Sequence, residues 1–212
     1  MQSFRLFLEH RDRPVIFIDL DGTLVHTSFR PGWAEMLVSP QFSKRSDHFK
    51  ALRDVRMDFL SMTFEEQLTA MRSIGGTPVC HGDVNAVTFL RPGAREFLVE
   101  CMGIARSCIL TQGVHSLQER VIDALDIPVK DLFGNHGEDN EVNYGPKVPQ
   151  SPAAILVDDM SQESPLVQRK LKAIGLAGDT DRFIEIKRWE GFGGDENDYK
   201  PVLKKIRSLV KL

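Results

Sequence analysis

Four short apolar runs set the rhythm of this chain, and the first three close on polar residues. Val15-Ile16-Phe17-Ile18 follows Pro14 and leads into Asp19-Leu20-Asp21-Gly22. Ser107-Cys108-Ile109-Leu110 leads to Thr111-Gln112-Gly113, Ala153-Ala154-Ile155-Leu156-Val157 to Asp158-Asp159, and Phe183-Ile184-Glu185-Ile186 toward Trp189. Runs with no polar alternation predict strands buried on both faces, as in a parallel sheet. Between them the period becomes helical. Pro92 suits a first helical turn ahead of Ala94, Phe97 and Leu98. Ser116-Leu117-Gln118-Glu119 has the spacing of a capping box before Val121, Ile122 and Leu125. Ser161 or Ser164 opens a helix through Leu166, Val167, Leu171 and Ile174, stopped by Gly175. A last helix, after Pro201, aligns Val202, Leu203, Ile206 and Leu209. Strands alternating with helices predict an α/β fold with a doubly wound parallel sheet.

The interval from His26 to Thr88 breaks this rhythm. Its ends are rich in turn residues, Pro31-Gly32 and Gly75-Gly76-Thr77-Pro78, and it holds two helical patterns. One runs from Ser46 through Phe49, Leu52, Val55 and Phe59; the other starts at Thr63-Phe64-Glu65-Glu66, a second capping-box spacing, and continues through Leu68 and Met71. We read approximately 27–88 as a small, partly helical, cap-like insertion in a single domain over 1–212. Its place after the first strand sets it over the carboxyl ends of the sheet, where ligands of open α/β folds bind.

Composition narrows the classes. A formal charge of −3 and a pI near 6.1, with Lys and Arg scattered, leave no footprint for nucleic acid. Three cysteines without paired spacing suggest neither a disulfide framework nor a cysteine zinc site, so a reduced, cytoplasmic setting is expected. The apolar residues of the first nine positions are broken by charges, and no run reaches the ~20 apolar residues of a membrane span. The sequence does not fix an oligomeric state.

The chemistry concentrates at Asp19-Leu20-Asp21-Gly22-Thr23-Leu24. Two carboxylates one residue apart at a strand end are costly, and a divalent cation would make the crowding tolerable. On an extended strand they point to opposite faces, so the chain must turn after Asp19 for both to reach one site.

This run resembles the first motif of the haloacid dehalogenase (HAD) superfamily of phosphotransferases, Asp-x-Asp-Gly-Thr-(Leu/Val). The resemblance implies Asp19 as nucleophile, forming an aspartyl-phosphate. It implies Asp21 as general acid and base, and Mg2+ between Asp19 and the backbone carbonyl of Asp21. Thr111, with Gln112 and Gly113, is similar to the second motif, which binds phosphoryl oxygens. Asp158-Asp159 resembles the fourth, with Asp158 as metal ligand and Asp159 as a water-mediated partner. The third motif is a lysine, for which Lys130 and Lys147 are candidates; the order of segments favours Lys147. Within the superfamily, Phe89-Leu90-Arg91-Pro92 through Phe97-Leu98, and Asn143-Tyr144 through Lys147, are similar to the phosphatases of the RNA polymerase II carboxy-terminal domain. The chain departs from them at Gly22, where Glu is usual, at Asp159, where Asn is usual, and in an insertion that is longer and more helical.

The expected activity is Mg2+-dependent hydrolysis of a phosphomonoester on a small molecule or a phosphoprotein, including the protein Ser/Thr phosphatase type. A phosphopeptide-binding module that kept the fold without catalysis is the competing class. Of the other polar groupings, Cys80-His81-Gly82-Asp83 reads as a turn and His136 as a solvated loop residue. Phe29, Trp33 and Phe42 read as a small core within the insertion.

Overall fold

The computed structural model describes residues 14–30, 33, 59–81, 84–129, 131–136, 143–144, 148–189, 191 and 196–210. In chain order, β1 (Val15–Ile18) and β2 (Val25–Phe29) precede α1 (Phe64–Ser73), β3 (Thr77–His81) and β4 (Val84–Leu90). Next come α2 (Ala94–Ile104), β5 (Arg106–Val114), α3 (His115–Ala124) and β6 (Leu132–Asn135). β7 (Ile155–Asp158), α4 (Pro165–Ala173), β8 (Phe183–Glu185) and α5 (Lys200–Val210) complete the order.

The predicted parallel sheet is present, with five strands in the order β6-β5-β1-β7-β8. Ile18 stands beside Ile109 of β5 on one side and Val157 of β7 on the other. The chain moves outward from β1 through β5 to β6, then returns to the far side of β1, so the topological switch falls between β1 and β7. Alternate residues of β1 feed different cores, as strand geometry requires. Ile16 and Ile18 pack with Phe97 and Leu98 of α2, Val121 of α3 and Ile206 of α5. Val15 and Phe17 pack with Val167 and Leu171 of α4. Helices therefore cover both faces, which is why the strands carry no polar alternation.

The interval after β1 carries strands as well as the helix read from Thr63. β2, β4 and β3 form an antiparallel sheet in that order, beside α1. Thr77-Pro78 lies within β3, the edge strand, where a proline lacking its N–H is tolerated. Cys80 and His81 also belong to β3 rather than to a turn, and His81 pairs with Val84. The capping box of α1 forms as read: Thr63 Oγ1 accepts from Glu66 N, and the Glu66 side chain accepts from Thr63 N. Trp33, Phe59, Met71, Val87, Phe89 and Trp189 make a separate small core, so Trp33 is a core residue as expected while Phe29 is exposed. The helix expected from Ser46 and the residue Phe42 lie outside the described residues.

Two helix starts also differ. α3 begins at His115 directly after β5, with Val114 at its N-cap and no side-chain cap, so the box read at Ser116 does not form. α2 begins at Ala94 after Gly93 in the left-handed region at φ 76°, two residues beyond Pro92. Ser164 caps α4 through Leu166 N, with Pro165 in its first turn. None of the described helices is long and apolar enough to cross a membrane.

Candidate active site

The first motif folds as a tight loop leaving the sheet. Asp19 N donates to Val157 O at 2.9 Å, extending the β1–β7 ladder by one residue. Leu24 N and Val25 N then both reach back to Leu20 O, at 2.9 and 3.0 Å, and Gly22 turns through φ +86°. The turn demanded by paired aspartates is thus present, and it needs glycine for two reasons. The left-handed backbone favours Gly, and a Cβ there would lie 2.5 Å from Asp159 Oδ2. Positions 22 and 159 therefore constrain each other through this close approach.

Beneath the loop sits a buried charge cluster. Lys170 Nζ, from α4, donates to Asp19 Oδ1 at 2.5 Å and to Asp158 Oδ2 at 2.6 Å. Lys170 is 3% exposed, Asp19 5% and Asp158 0%, so these charges are held without water. Burial alone would depress the Lys170 ammonium, but Asp19 and Asp158 outweigh it and raise its pKa. Asp158 uses its other oxygen as well, accepting from Met160 N at 2.9 Å. Asp159 differs: its buried Oδ2 accepts no hydrogen bond, and the nearest cation is the Arg188 guanidinium at 3.5 Å. Ligand oxygens of Asp19, Asp158 and Asp159 lie within 4.8 Å of one another. Burial pushes the carboxyls of Asp19 and Asp159 upward, with Lys170 and Arg188 opposing and Asp158 adding repulsion at both. Three carboxyls facing one buried ammonium leave surplus negative charge, which a proton or a further cation must meet. The donors are hard oxygens, the set that suits Mg2+ rather than a thiophilic metal.

Asp21 turns away from this cluster. Its Oδ2 accepts from Gln118 Nε2 of α3 at 2.8 Å, and Thr27 of β2 also hydrogen-bonds the carboxyl. Burial raises its pKa and these two hydrogen bonds partly offset the rise, a balance that suits a carboxyl meant to carry a proton. An open cleft of about 380 Å³ lies here. Asp21, Gly22, His26, Thr27, Gln112, Gly113, Gln118 and Arg188 line it, and Phe29 and Val114 stand at its edge as exposed apolar groups. Thr111 is buried on β5, and its hydroxyl accepts from Gly113 N at 3.1 Å.

The fold thus brings Asp19, Asp21, Thr111, Gln112, Gly113 and Asp158 to one end of the sheet. Lys147 and Lys130 lie outside the described residues; the ammonium that meets Asp19 is Lys170, which the sequence reading missed. A signal was available. Val167, Lys170 and Leu171 share the buried stripe of an amphipathic helix, and lysine at such a position needs a buried partner.

A second set of residues fixes the loop from outside. Arg91, 1% exposed, donates from Nη1 to Thr23 O and Lys187 O, and from Nη2 to Asp198 at 3.0 Å. Tyr199 donates its hydroxyl to the same Thr23 carbonyl at 2.7 Å, and Trp189 N donates to Gly22 O at 2.8 Å. The Arg-Pro segment read from the sequence therefore serves as a structural pin behind the loop.

No curated protein matches the chain. Among solved structures it is similar to a variant of the fission yeast RNA polymerase II CTD phosphatase Fcp1 bound to beryllium fluoride, at 12% identity and TM-score 0.46, covering 99% of this chain and 54% of that one. A further structure of Fcp1, described as an essential RNA polymerase II CTD phosphatase, gives 13% identity and TM-score 0.46 over 98% of this chain and 52% of that one. A haloacid dehalogenase-like hydrolase from Streptococcus pneumoniae gives 15% and 0.42 over 94% and 91%. The chain spans about half the length of the two Fcp1 chains. The profile of the NLI interacting factor-like phosphatases matches residues 14–142, from the start of β1 to beyond β6. That match takes in more than half of the 212 residues, and the chain belongs to the NLI interacting factor-like phosphatase family.

Proposed function

We propose that this protein is a Mg2+-dependent phosphomonoesterase working through an aspartyl-phosphate on Asp19. The observation that carries the reading is the buried Lys170 ammonium bridging Asp19 and Asp158, beside an Asp159 oxygen that no donor among the described residues satisfies. Phosphoryl transfer needs an aligned nucleophile, charge neutralisation and a proton donor for the leaving oxygen. Asp19 supplies the first, ionised against Lys170. Lys170 supplies part of the second, anchored by Asp158 so that it stays aimed at the nucleophile. Asp21 supplies the third: it protonates the leaving alcohol, then accepts a proton from the attacking water. Thr111, Gln112 and Gly113 face the transferred group's oxygens.

Asp19, Asp159 and the Asp21 backbone carbonyl would hold Mg2+. Asp158, our expected ligand from sequence, has both oxygens committed to Lys170 and Met160 N, which favours Asp159 for that role. When bound, Mg2+ neutralises phosphoryl oxygens as negative charge builds. The insertion over 27–88 borders the mouth through Thr27 and Phe29. A phosphoprotein substrate is the second reading, and the open cleft with Phe29 and Val114 exposed at its edge favours it over an enclosed metabolite.

The test is hydrolysis of an aryl phosphate with and without Mg2+. Asp19→Asn should abolish turnover and chelation should suppress it in the wild type. Equal turnover by Asp19→Asn would rule out Asp19 as nucleophile.

A further inference from the structure

Gln118 carries an unexplained polar atom beside the general acid and base. It is 4% exposed, and its Nε2 is spent on Asp21 Oδ2 at 2.8 Å. Its Oε1 is buried, accepts no hydrogen bond among the described residues, and belongs to a side chain that lines the open cleft. A buried acceptor left unpaired is costly, so a side chain that keeps one at a reaction site needs a reason. The neighbouring backbone is shaped around this amide: a Cβ on Gly113 would lie 2.0 Å from Gln118 Nε2. Ser116 and Glu119 have the spacing of a capping box that does not form, and α3 instead presents its first turn to the cleft.

We propose that Gln118 positions the hydrolytic water: Nε2 fixes Asp21 while Oε1 accepts one hydrogen of a water whose other hydrogen faces Asp21. This rests on the aspartyl-phosphate reading above. In the step concerned, the water oxygen forms a bond to phosphorus as the bond between phosphorus and Asp19 Oδ breaks. The electron pair returns to the Asp19 carboxylate, the water's proton passes to Asp21, and inorganic phosphate leaves. A water held by two acceptors has a lone pair free to point at phosphorus, which is the orientation the in-line attack needs. The first step, transfer from the ester to Asp19, involves no water. Gln118 therefore belongs to the second step, whereas Asp21 serves both.

That division makes the test. With an aryl phosphate whose phenolate leaves without protonation, phenolate release in the first turnover reports transfer to Asp19, and steady turnover includes hydrolysis. Rapid-quench measurements with a labelled phosphoryl group, in Mg2+, read both together with the acid-stable phosphoenzyme. Gln118→Met keeps the volume and removes both polar atoms; Gln118→Leu removes them with a branched apolar side chain. Each is expected to lower steady turnover about tenfold or more while first-turnover release changes by less than about threefold, and to raise the trapped phosphoenzyme above the wild-type level. If either variant fails to fold, the other carries the same expectation. Equal slowing of both steps, or no slowing of either, overturns the assignment of Gln118 to the water. Absence of a phosphoenzyme in the wild type and both variants overturns the Asp19 reading itself, and the water-positioning role falls with it.

Discussion

At the scale of single residues, Lys170 decides the character of the site. A lysine on the apolar stripe of a helix is costly alone, and two carboxylates equally so; together they form a compact triad in which each charge has a partner. Removing the ammonium leaves Asp19 and Asp158 buried against each other. Lys170→Met should lose about 3–5 kcal/mol of stability at neutral pH. The sign with pH follows from the carboxyls. Burial already raises Asp19 in the folded protein, and loss of Lys170 raises it further, so the folded state binds more protons than the unfolded one. Stability of the variant should fall as pH rises from the ordinary aspartate range and be closest to wild type in acid. Urea unfolding at about pH 5 and pH 8 measures this, and a deficit that shrank toward alkaline pH would contradict it. Gly22 and Asp159 make a related point. A side chain at position 22 would strike the Asp159 carboxylate, so the tight turn and the acidic residue beside it constrain each other.

At the scale of elements, legibility followed the source of each signal. β1, β5, β7 and β8 stood out because burial on both faces removes polar residues from the strand itself. The three strands of the antiparallel sheet did not stand out. β2 reads Val-His-Thr-Ser-Phe and β3 contains Pro78, so neither has an apolar run, and their stability comes from cross-strand pairing that no local window contains. Caps divided the same way. The Thr63 box forms at the N-cap of α1, whereas the strand runs into α3 at His115 with Val114 at its N-cap and no side-chain cap. Thr63→Ala should destabilise α1 by about 0.5–2 kcal/mol and leave aryl-phosphate turnover unchanged, because the helix supports only the small core. The Glu66 carboxyl is held below its usual range by the Thr63 backbone and side chain, so this cap is intact above that range and is lost as the pH falls through it. Thermal melts of wild type and Thr63→Ala should therefore converge in acid; a gap that widened there would refute the cap.

At the scale of the molecule, the site draws on distant parts of the chain. Asp19, Asp21, Thr111 and Gln118 lie within the family match at 14–142, but Asp158, Asp159, Lys170, Arg188 and Tyr199 follow it. The second group was harder to read because it acts through tertiary placement: Lys170 works through the packing of α4 on β1, and Tyr199 through a carbonyl 176 positions away. Tyr199 is buried and stacks on Phe97 with ring centroids 4.4 Å apart, so Tyr199→Phe keeps the packing and removes one bond to the Thr23 carbonyl. It should cost about 1 kcal/mol in stability and lower kcat several-fold, since a loop displaced by a fraction of an ångström misaligns Asp21. Unchanged kcat with the expected stability loss would show that Arg91 alone suffices to hold the loop.

The pinning of the first motif by Trp189, Tyr199 and Arg91 also bears on how the protein is born. Asp19 is synthesised well before Tyr199, and the Thr23 carbonyl gains the Tyr199 hydroxyl as a donor only once that residue has left the ribosome tunnel. A nascent chain thus carries Asp19 in a loop whose last pin is added long after β1 itself has been made.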